Sequence, residues 1–287
     1  MGYLHINNLY KDQEILLFKR CYALEKIHGT SAHIQFKEGK LRFFSGGEKH
    51  ERFVKLFDEE KLLKVFNEHF QDDLILFGEA YGGSQQGMSE TYGKELKFIV
   101  FDAKIGRCWL DVPKAETVTK LFDLEFVDYN EVDTSLESID KERDRESTQA
   151  IRNGIGEGKM REGIVLRPLI ELIKNNGSRI IVKHKRNEFM ETKTPREVDP
   201  AKLELLVKAK EIADEWVTLM RLKHVLDKFE GEETIENTGK VIKAMQEDIL
   251  REAEGEIVIS PDATKLIGRS TALMYKNYLQ KKIKEVI

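Results

Sequence analysis

The sequence predicts an α+β fold, an antiparallel sheet with helices packed on it followed by a small all-α module, and three patterns predict it. Apolar side chains alternate with a period of two over residues 22–45, recur at helical spacing over 53–70, and form only helical stripes after Asp199-Pro200. In the first stretch Tyr22, Leu24 and Lys26 share one face. Ile34 and Phe36 precede Glu38-Gly39, a turn signal ahead of Leu41 and Phe43, so a hairpin is expected. Phe53, Leu56, Phe57, Leu63, Phe66 and Phe70 predict one amphipathic helix on the sheet. Short apolar runs at 74–77 and 98–101 read as buried strands, and a helix follows over 113–122. Residues 123–150, rich in acids and hydroxyls, read as a surface excursion, and Asn153-Gly154 as a turn. Strands at 163–167 and 179–185 are joined by a polar loop at 175–178.

The composition then shifts. Asp199 suits an N-cap with Pro200 at the first helical position. Leu203, Leu206, Ile212, Trp216, Leu219, Val225 and Phe229 form one helical stripe, and Ile242, Met245 and Ile249 another. Ser260-Pro261 opens a third helix with Leu266, Leu273, Tyr278 and Ile283. Two domains are expected, 1–195 and 196–287.

Bulk properties exclude several classes. With 287 residues, 40% hydrophobic and 34% charged, the chain is long enough for two cores and is neither fibrous nor disordered. No run approaches the roughly 18 apolar residues that span a bilayer, so a cytoplasmic protein with no membrane partner is expected. Cys21 and Cys108 form no Cys-x-x-Cys pair and read as small core residues. A net charge of -4 does not advertise a nucleic-acid binder, so any such signal must be local. One basic cluster exists, Arg179, Lys183, His184, Lys185 and Arg186, open to reading as a solvated strand and turn or as a functional patch. The glycines at 154, 156 and 158 do not make a phosphate loop, because Met160 follows Lys159 where Ser or Thr is needed. No His-Glu-x-x-His pair supports a catalytic zinc.

Lys26 is more informative, since strand parity puts it on the face of Leu24, where another apolar side chain belongs. Burial or a neighbouring cation would favour the free amine, a nucleophile. Gly29 follows, where a missing side chain would let a nucleotide approach the backbone. Glu162 shares the parity of Ile164 and Leu166 and so faces the apolar side of its strand, as a buried carboxylate in want of a cation. Lys183 and Lys185 project together from the next strand, a pair that suits a polyphosphate.

In these stretches the sequence resembles the covalent nucleotidyltransferase superfamily, and within it the type-2 RNA ligases of bacteriophages and the kinetoplastid RNA-editing ligases. Glu25-Lys26-Ile27-His28-Gly29-Thr30 is similar to the first motif, with histidine where DNA ligases and capping enzymes usually have aspartate. Phe77-Gly78-Glu79-Ala80-Tyr81-Gly82 resembles the phenylalanine-glycine-glutamate element, and Phe98-Ile99-Val100-Phe101-Asp102 the strand after it. Glu162-Gly163-Ile164-Val165-Leu166 resembles motif IV, and Val182-Lys183-His184-Lys185 motif V. The resemblance covers about residues 20 to 190, in order.

It implies an antiparallel-sheet, ATP-grasp-like nucleotidyltransferase domain that joins 3'-hydroxyl and 5'-phosphate RNA ends. Lys26 would take AMP from ATP as a phosphoramidate and pass it to a 5'-phosphate. Glu79 would bind the ribose hydroxyls, Phe101 would stack on adenine, and Glu25 and Ile27 would line the base pocket. His28 would sit near the phosphates. Glu162 would help place magnesium, with manganese as the alternative, and Lys183 and Lys185 would neutralise phosphate charge. The expected partners are ATP and RNA, as nicked duplex or paired ends, and a monomer is expected. The 25 residues before Lys26 leave no room for a nicotinamide-recognition domain, which favours ATP. One departure is that Phe43-Phe44-Ser45-Gly46-Gly47 stands where the family usually has Arg-x-Gly. Arg42, of different parity, is the nearest substitute. Helices rather than an OB barrel follow motif V, as in the RNA-ligase branch. The competing readings are a DNA nick-sealing ligase and a non-catalytic module that binds nucleic-acid ends.

Overall fold

The computed structural model describes residues 2–174, 177–190, 197–257 and 259–284, apart from the side chains of residues 283 and 284. Part of the expected 175–178 loop and the side chain of Ile283 lie outside the described residues. The chain divides into two compact units, Met1–Glu197 and Val198–Ile287.

The first unit is mixed α+β. In order it holds β1 (Asn7–Asn8), β2 (Arg20–Lys26), β3 (Thr30–Lys37), β4 (Lys40–Phe44), α1 (His50–Val54), α2 (Glu59–His69), β5 (Leu74–Gly82) and α3 (Ser89–Tyr92). There follow β6 (Leu96–Ile105), β7 (Cys108–Trp109), α4 (Val112–Leu121), β8 (Tyr129–Asp133), α5 (Leu136–Arg143), α6 (Thr148–Arg152), β9 (Gly163–Pro168) and β10 (Val182–Lys185). Two five-stranded sheets result, β1-β10-β9-β2-β8 and β4-β3-β5-β6-β7. All pairings are antiparallel except that of β1 with β10.

The β3–β4 hairpin turns where the sequence predicts, with Glu38 (φ 52°) and Gly39 (φ 71°) both in the left-handed region that matches strand twist. On this sheet Phe36 stacks against Phe66 of α2 at 4.9 Å and against Phe122 after α4 at 5.1 Å. Burying one such side chain contributes about 1.5–3 kcal/mol, enough to seat both helices.

Several expectations are corrected. The single helix over 53–70 is two, because Asp58 leaves the helical conformation and its carboxylate caps α2 by accepting from the Lys61 amide. Residues 123–150 are no surface excursion: β8 pairs with β2, and Ile139, Ser147, Gln149 and Ala150 are fully buried. Their hydroxyls are spent on capping, Ser135 for α5 and Ser147 for α6. The strand expected at 179–185 starts only at Val182. Cys21 is buried as expected, but Cys108 is exposed on the edge strand β7.

The described part of the second unit is helical: α7 (Pro200–Trp216), α8 (Leu219–Asp227), α9 (Thr238–Glu252) and α10 (Pro261–Lys284), with a short 3-10 turn at Ile235–Asn237. Asp199 caps α7, accepting from the Ala201 and Lys202 amides, with Pro200 at its start. The stripe read as one helix from Leu203 to Phe229 is two, since Val217 and Thr218 are extended and the Thr218 hydroxyl caps α8 through the Arg221 amide. Its core is apolar, with Leu222, Val241, Met245, Ile249 and Tyr275 fully buried. Among the described residues no helix is long and apolar enough to cross a membrane.

Candidate active site

Alternation along β2 sends Lys26 and Glu25 to opposite faces, and the antiparallel register sets Lys26 opposite Gly163 and Glu25 opposite Ile164. By that register the cavity face of β9 carries Gly163, Val165 and Arg167. Glu162, read from parity with Ile164 and Leu166, belongs on the other face, yet its carboxylate reaches Lys26. The reason is Gly163, whose φ of 153° breaks the alternation at the strand's first residue. Only glycine fits there, since a Cβ would collide with the His184 carbonyl oxygen.

Glu162 is 1% exposed and surrounded by nitrogen. Lys26 Nζ donates to Oε2 at 2.8 Å, His28 Nδ1 lies 3.0 Å from the same oxygen, and Lys185 Nζ lies 2.9 Å from Oε1. Burial opposes the carboxylate charge, but His28, Lys26 and Lys185 outweigh it and hold the carboxyl at about 2. The Lys26 side chain keeps 23% exposure and lines the cavity beside it.

That cavity, of about 410 Å³, lies between the two sheets. Leu24, Lys26, Val165, Arg167 and Lys183 line it from one side, Ser31, Glu79 and Phe101 from the other, and Tyr3 to Ile6 from the N-terminal segment. Ile27 borders it while sitting in the core at 4% exposure. Glu79 accepts a hydrogen bond from the Gly29 amide at 3.1 Å. Burial lifts its carboxyl to about 7; Lys26 works against the shift and Glu162 adds to it. Gly29 is needed for a different reason than expected: it is the Ala80 carbonyl of β5, and the Glu79 side chain, that occupy the space a Cβ would fill.

Most of the predicted residues therefore converge. Lys26, His28, Glu162 and Lys185 form one ion-paired cluster, and Lys26, Glu79, Phe101 and Lys183 line one cavity. Glu25 departs from expectation. It borders the cavity, but its carboxylate turns the other way, accepting from Ser147 Oγ at 2.6 Å and the Gln149 amide at 3.2 Å. Arg42 does not replace the missing arginine, being exposed on edge strand β4 and absent from the cavity lining.

Sequence reasoning missed the buried cluster that Tyr3 and Arg167 of the cavity lining form with Asp102. Tyr3 Oη donates to Asp102 Oδ2 at 2.6 Å, and Arg167 Nη1 donates to Asp102 Oδ1 at 3.0 Å. Arg179 joins them through Asp102 and Glu171, its guanidinium 4.1 Å from the centre of the Trp109 ring. Burial, then the Asp102 charge, pushes the Tyr3 phenol well above its usual value. The basic run at 179–186 is thus no solvated turn: Arg179 and Lys185 are 5% and 8% exposed. Tyr3 and Asp102 stand 99 residues apart, which no local pattern reveals.

A lysine amine beside a cavity with an aromatic wall and further lysines suits attack on the phosphorus of a bound nucleotide. Among the described residues no three His, Cys, Asp or Glu side chains cluster as a preformed metal site. Magnesium commonly takes one or two carboxylates together with substrate phosphates, so Glu162 fits as a partial donor set rather than a cage.

Comparison with known proteins gives a family and a fold. The RNA ligase family model matches residues 19–185, more than half of the chain. The chain belongs to the RNA ligase family. Among solved structures it is similar to a lysine-to-methionine mutant of Naegleria gruberi RNA ligase with AMP and Mn, at 18% identity and TM-score 0.51, over 66% of this chain and 57% of that one. A glutamate-to-alanine mutant of the same ligase with ATP and Mn gives 16% identity and TM-score 0.50, over 66% and 57%. At such identities the likeness shows the fold alone, and the chain spans 57% of the length of these Naegleria ligases. No curated protein matches.

Proposed function

We propose that the protein is an ATP-dependent RNA ligase that joins 3'-hydroxyl and 5'-phosphate ends through a lysyl-AMP on Lys26. The carrying observation is the Lys26–Glu162–Lys185 cluster at the cavity wall, in a chain of the RNA ligase family. Lys26 sheds a proton, its Nζ bonds to the α-phosphorus of ATP, and the bond to the β-phosphate oxygen breaks to release pyrophosphate. A 5'-phosphate oxygen of RNA then displaces the lysine, and a 3'-hydroxyl finally displaces AMP to close the strand.

The cavity supports the assignments of the other residues. Phe101 stacks on the base and Glu79 holds the ribose hydroxyls, while Lys183, Lys185 and His28 face the phosphates. Ile27, and Glu25 through its backbone rather than its carboxylate, border the base. Magnesium or manganese, when bound by Glu162 together with ATP phosphates, supplies further charge neutralisation at phosphorus. The first unit is the adenylyltransferase in this reading, and the helical second unit engages the nucleic acid. The enzyme works as a cytoplasmic monomer on nicked duplex or paired ends.

The test is incubation with labelled ATP and magnesium, then measurement of intact-protein mass. Wild type gains one acid-stable AMP, and Lys26→Ala gains none. An unlabelled wild type would leave only a binding module. Matched RNA and DNA nicks sealed from one ATP pool then decide the acceptor; faster DNA sealing overturns the RNA assignment.

A further inference from the structure

Two adjacent pairs of opposite charges cross in the first sheet, Glu25-Lys26 on β2 and Arg161-Glu162 at the entry to β9. On the cavity face Lys26 meets Glu162 at 2.8 Å. On the rear face Arg161 faces Glu25 at 4.0 Å, both buried, at 0% and 2% exposure. Each front residue is bonded through the chain to a rear one.

The rear pair is tied into the segment that follows β8. Glu25 is held by the Ser147 hydroxyl and the Gln149 amide. Arg161 donates from Nε to the Glu146 carbonyl at 3.1 Å, from Nη1 to the Glu142 carboxylate at 3.1 Å, and from Nη2 to Thr148 Oγ1 at 3.3 Å. All three guanidinium nitrogens are engaged, which fixes the plane of the group. Ser147 is itself locked, as the cap that accepts from the Ala150 amide. Neither Arg161 nor Ser147 lines the cavity.

Stability alone does not account for such a device, because a buried ion pair seldom stabilises a fold more than apolar side chains of the same volume. Position does account for it. Attack on phosphorus needs the amine placed within fractions of an ångström, and a shift of about 1 Å costs on the order of 100-fold in rate. We propose that Arg161, with Ser147, is a positioning residue for adenylyl transfer: by anchoring Glu25 behind the sheet it fixes the backbone from which Lys26 and Glu162 meet in front. This rests on Lys26 being the residue that takes AMP. The network acts on the transfer step and leaves ATP affinity alone, because its anchoring side chains do not reach the nucleotide.

The experiment is single-turnover labelling of the full chain at graded ATP concentrations, for wild type, Ser147→Ala, Arg161→Lys, Arg161→Met and the double variant Glu25→Gln/Arg161→Met. The maximal rate falls about 10- to 100-fold in Arg161→Met and the double variant, and about 3- to 10-fold in Ser147→Ala, with Arg161→Lys recovering part of the loss. In Ser147→Ala and the two Arg161 single variants, whose side chains do not line the cavity, the ATP concentration for half-maximal rate stays within about twofold of wild type. Should Arg161→Met fail to fold, Ser147→Ala and the charge-free double variant decide. Folded variants that label at the wild-type maximal rate, or that lose only ATP affinity, overturn the positioning role and leave the ligase reading intact. A wild type that takes no label overturns both.

Discussion

The two units bury different chemistry. In the first, Glu25, Asp102, Glu142, Arg161, Glu162, Arg167, Arg179 and Lys185 are all buried. In the second, among the described residues, Thr271 is the one buried polar side chain, and pairs such as Lys208–Glu204 and Lys243–Glu247 sit at the surface one helical turn apart. Removing a charge from water costs several kcal/mol, whereas apolar stripes and caps suffice to pack helices. The contrast teaches that desolvated charge, among the described residues, is concentrated in the unit that carries the candidate site.

Three measurements sharpen or break that contrast. The largest effect is expected at Asp102, which pairs with both Arg167 and Arg179. Asp102→Ala should lower the unfolding free energy by about 3–5 kcal/mol in urea titrations. Asp248→Ala in the second unit, which breaks the partly exposed contact with Arg221, should cost no more than about 1 kcal/mol. Equal losses would erase the distinction.

Next is Glu79, whose carboxyl is raised to about 7 in the folded state from an ordinary 4.5. Between these values the native state binds more protons than the unfolded one, so stability falls as pH rises through that window and is level above it. Glu79→Gln, which has no proton to lose, should therefore be more stable than wild type by about 3 kcal/mol at pH 8. At pH 4 the difference should vanish. A gain of the same size at both pH values would mean that packing, not the buried charge, is at issue.

The smallest effect compares two caps. The Thr218 hydroxyl only accepts from the Arg221 amide, at 3.2 Å, so Thr218→Ala should cost about 1 kcal/mol. Ser147 caps α6 and also donates to buried Glu25, so Ser147→Ala should cost about twice as much. Thermal melts of the two variants give the ratio.

What the sequence revealed divides along similar lines. Strands with one apolar face, the Glu38-Gly39 hairpin turn and the Asp199-Pro200 helix start are local signals, and all were legible. The edge strand β8 was not, because its residues are mostly polar and Glu131 answers Arg20 on β2 rather than a core. The helix break at Asp58 hid behind Phe57 and Leu56, which keep the apolar beat although Leu56 is exposed. At the site, Lys26 and the two lysines of β10 followed from strand parity, and Glu79 and Phe101 from the family resemblance. Glu162 was found for a partly wrong reason, since parity cannot foresee a backbone twist at Gly163. The Tyr3–Asp102–Arg167–Arg179 cluster joins distant segments, and no periodicity carries that information.

The pairing of β1 with β10 sets an order of events during synthesis. The sheet that holds Lys26 is assembled from residues 7–8, 20–26, 129–133, 163–168 and 182–185, so it draws on both ends of its unit. Such long loops close slowly, and a chain leaving the ribosome at about 5–20 residues per second carries Lys26 for about 8 to 30 seconds before the last strand emerges. Until then the lysine lacks Lys185 and the strand that pairs with β9, and on the proposed mechanism a nascent chain stalled before β10 should react with nucleotide more slowly than the full chain.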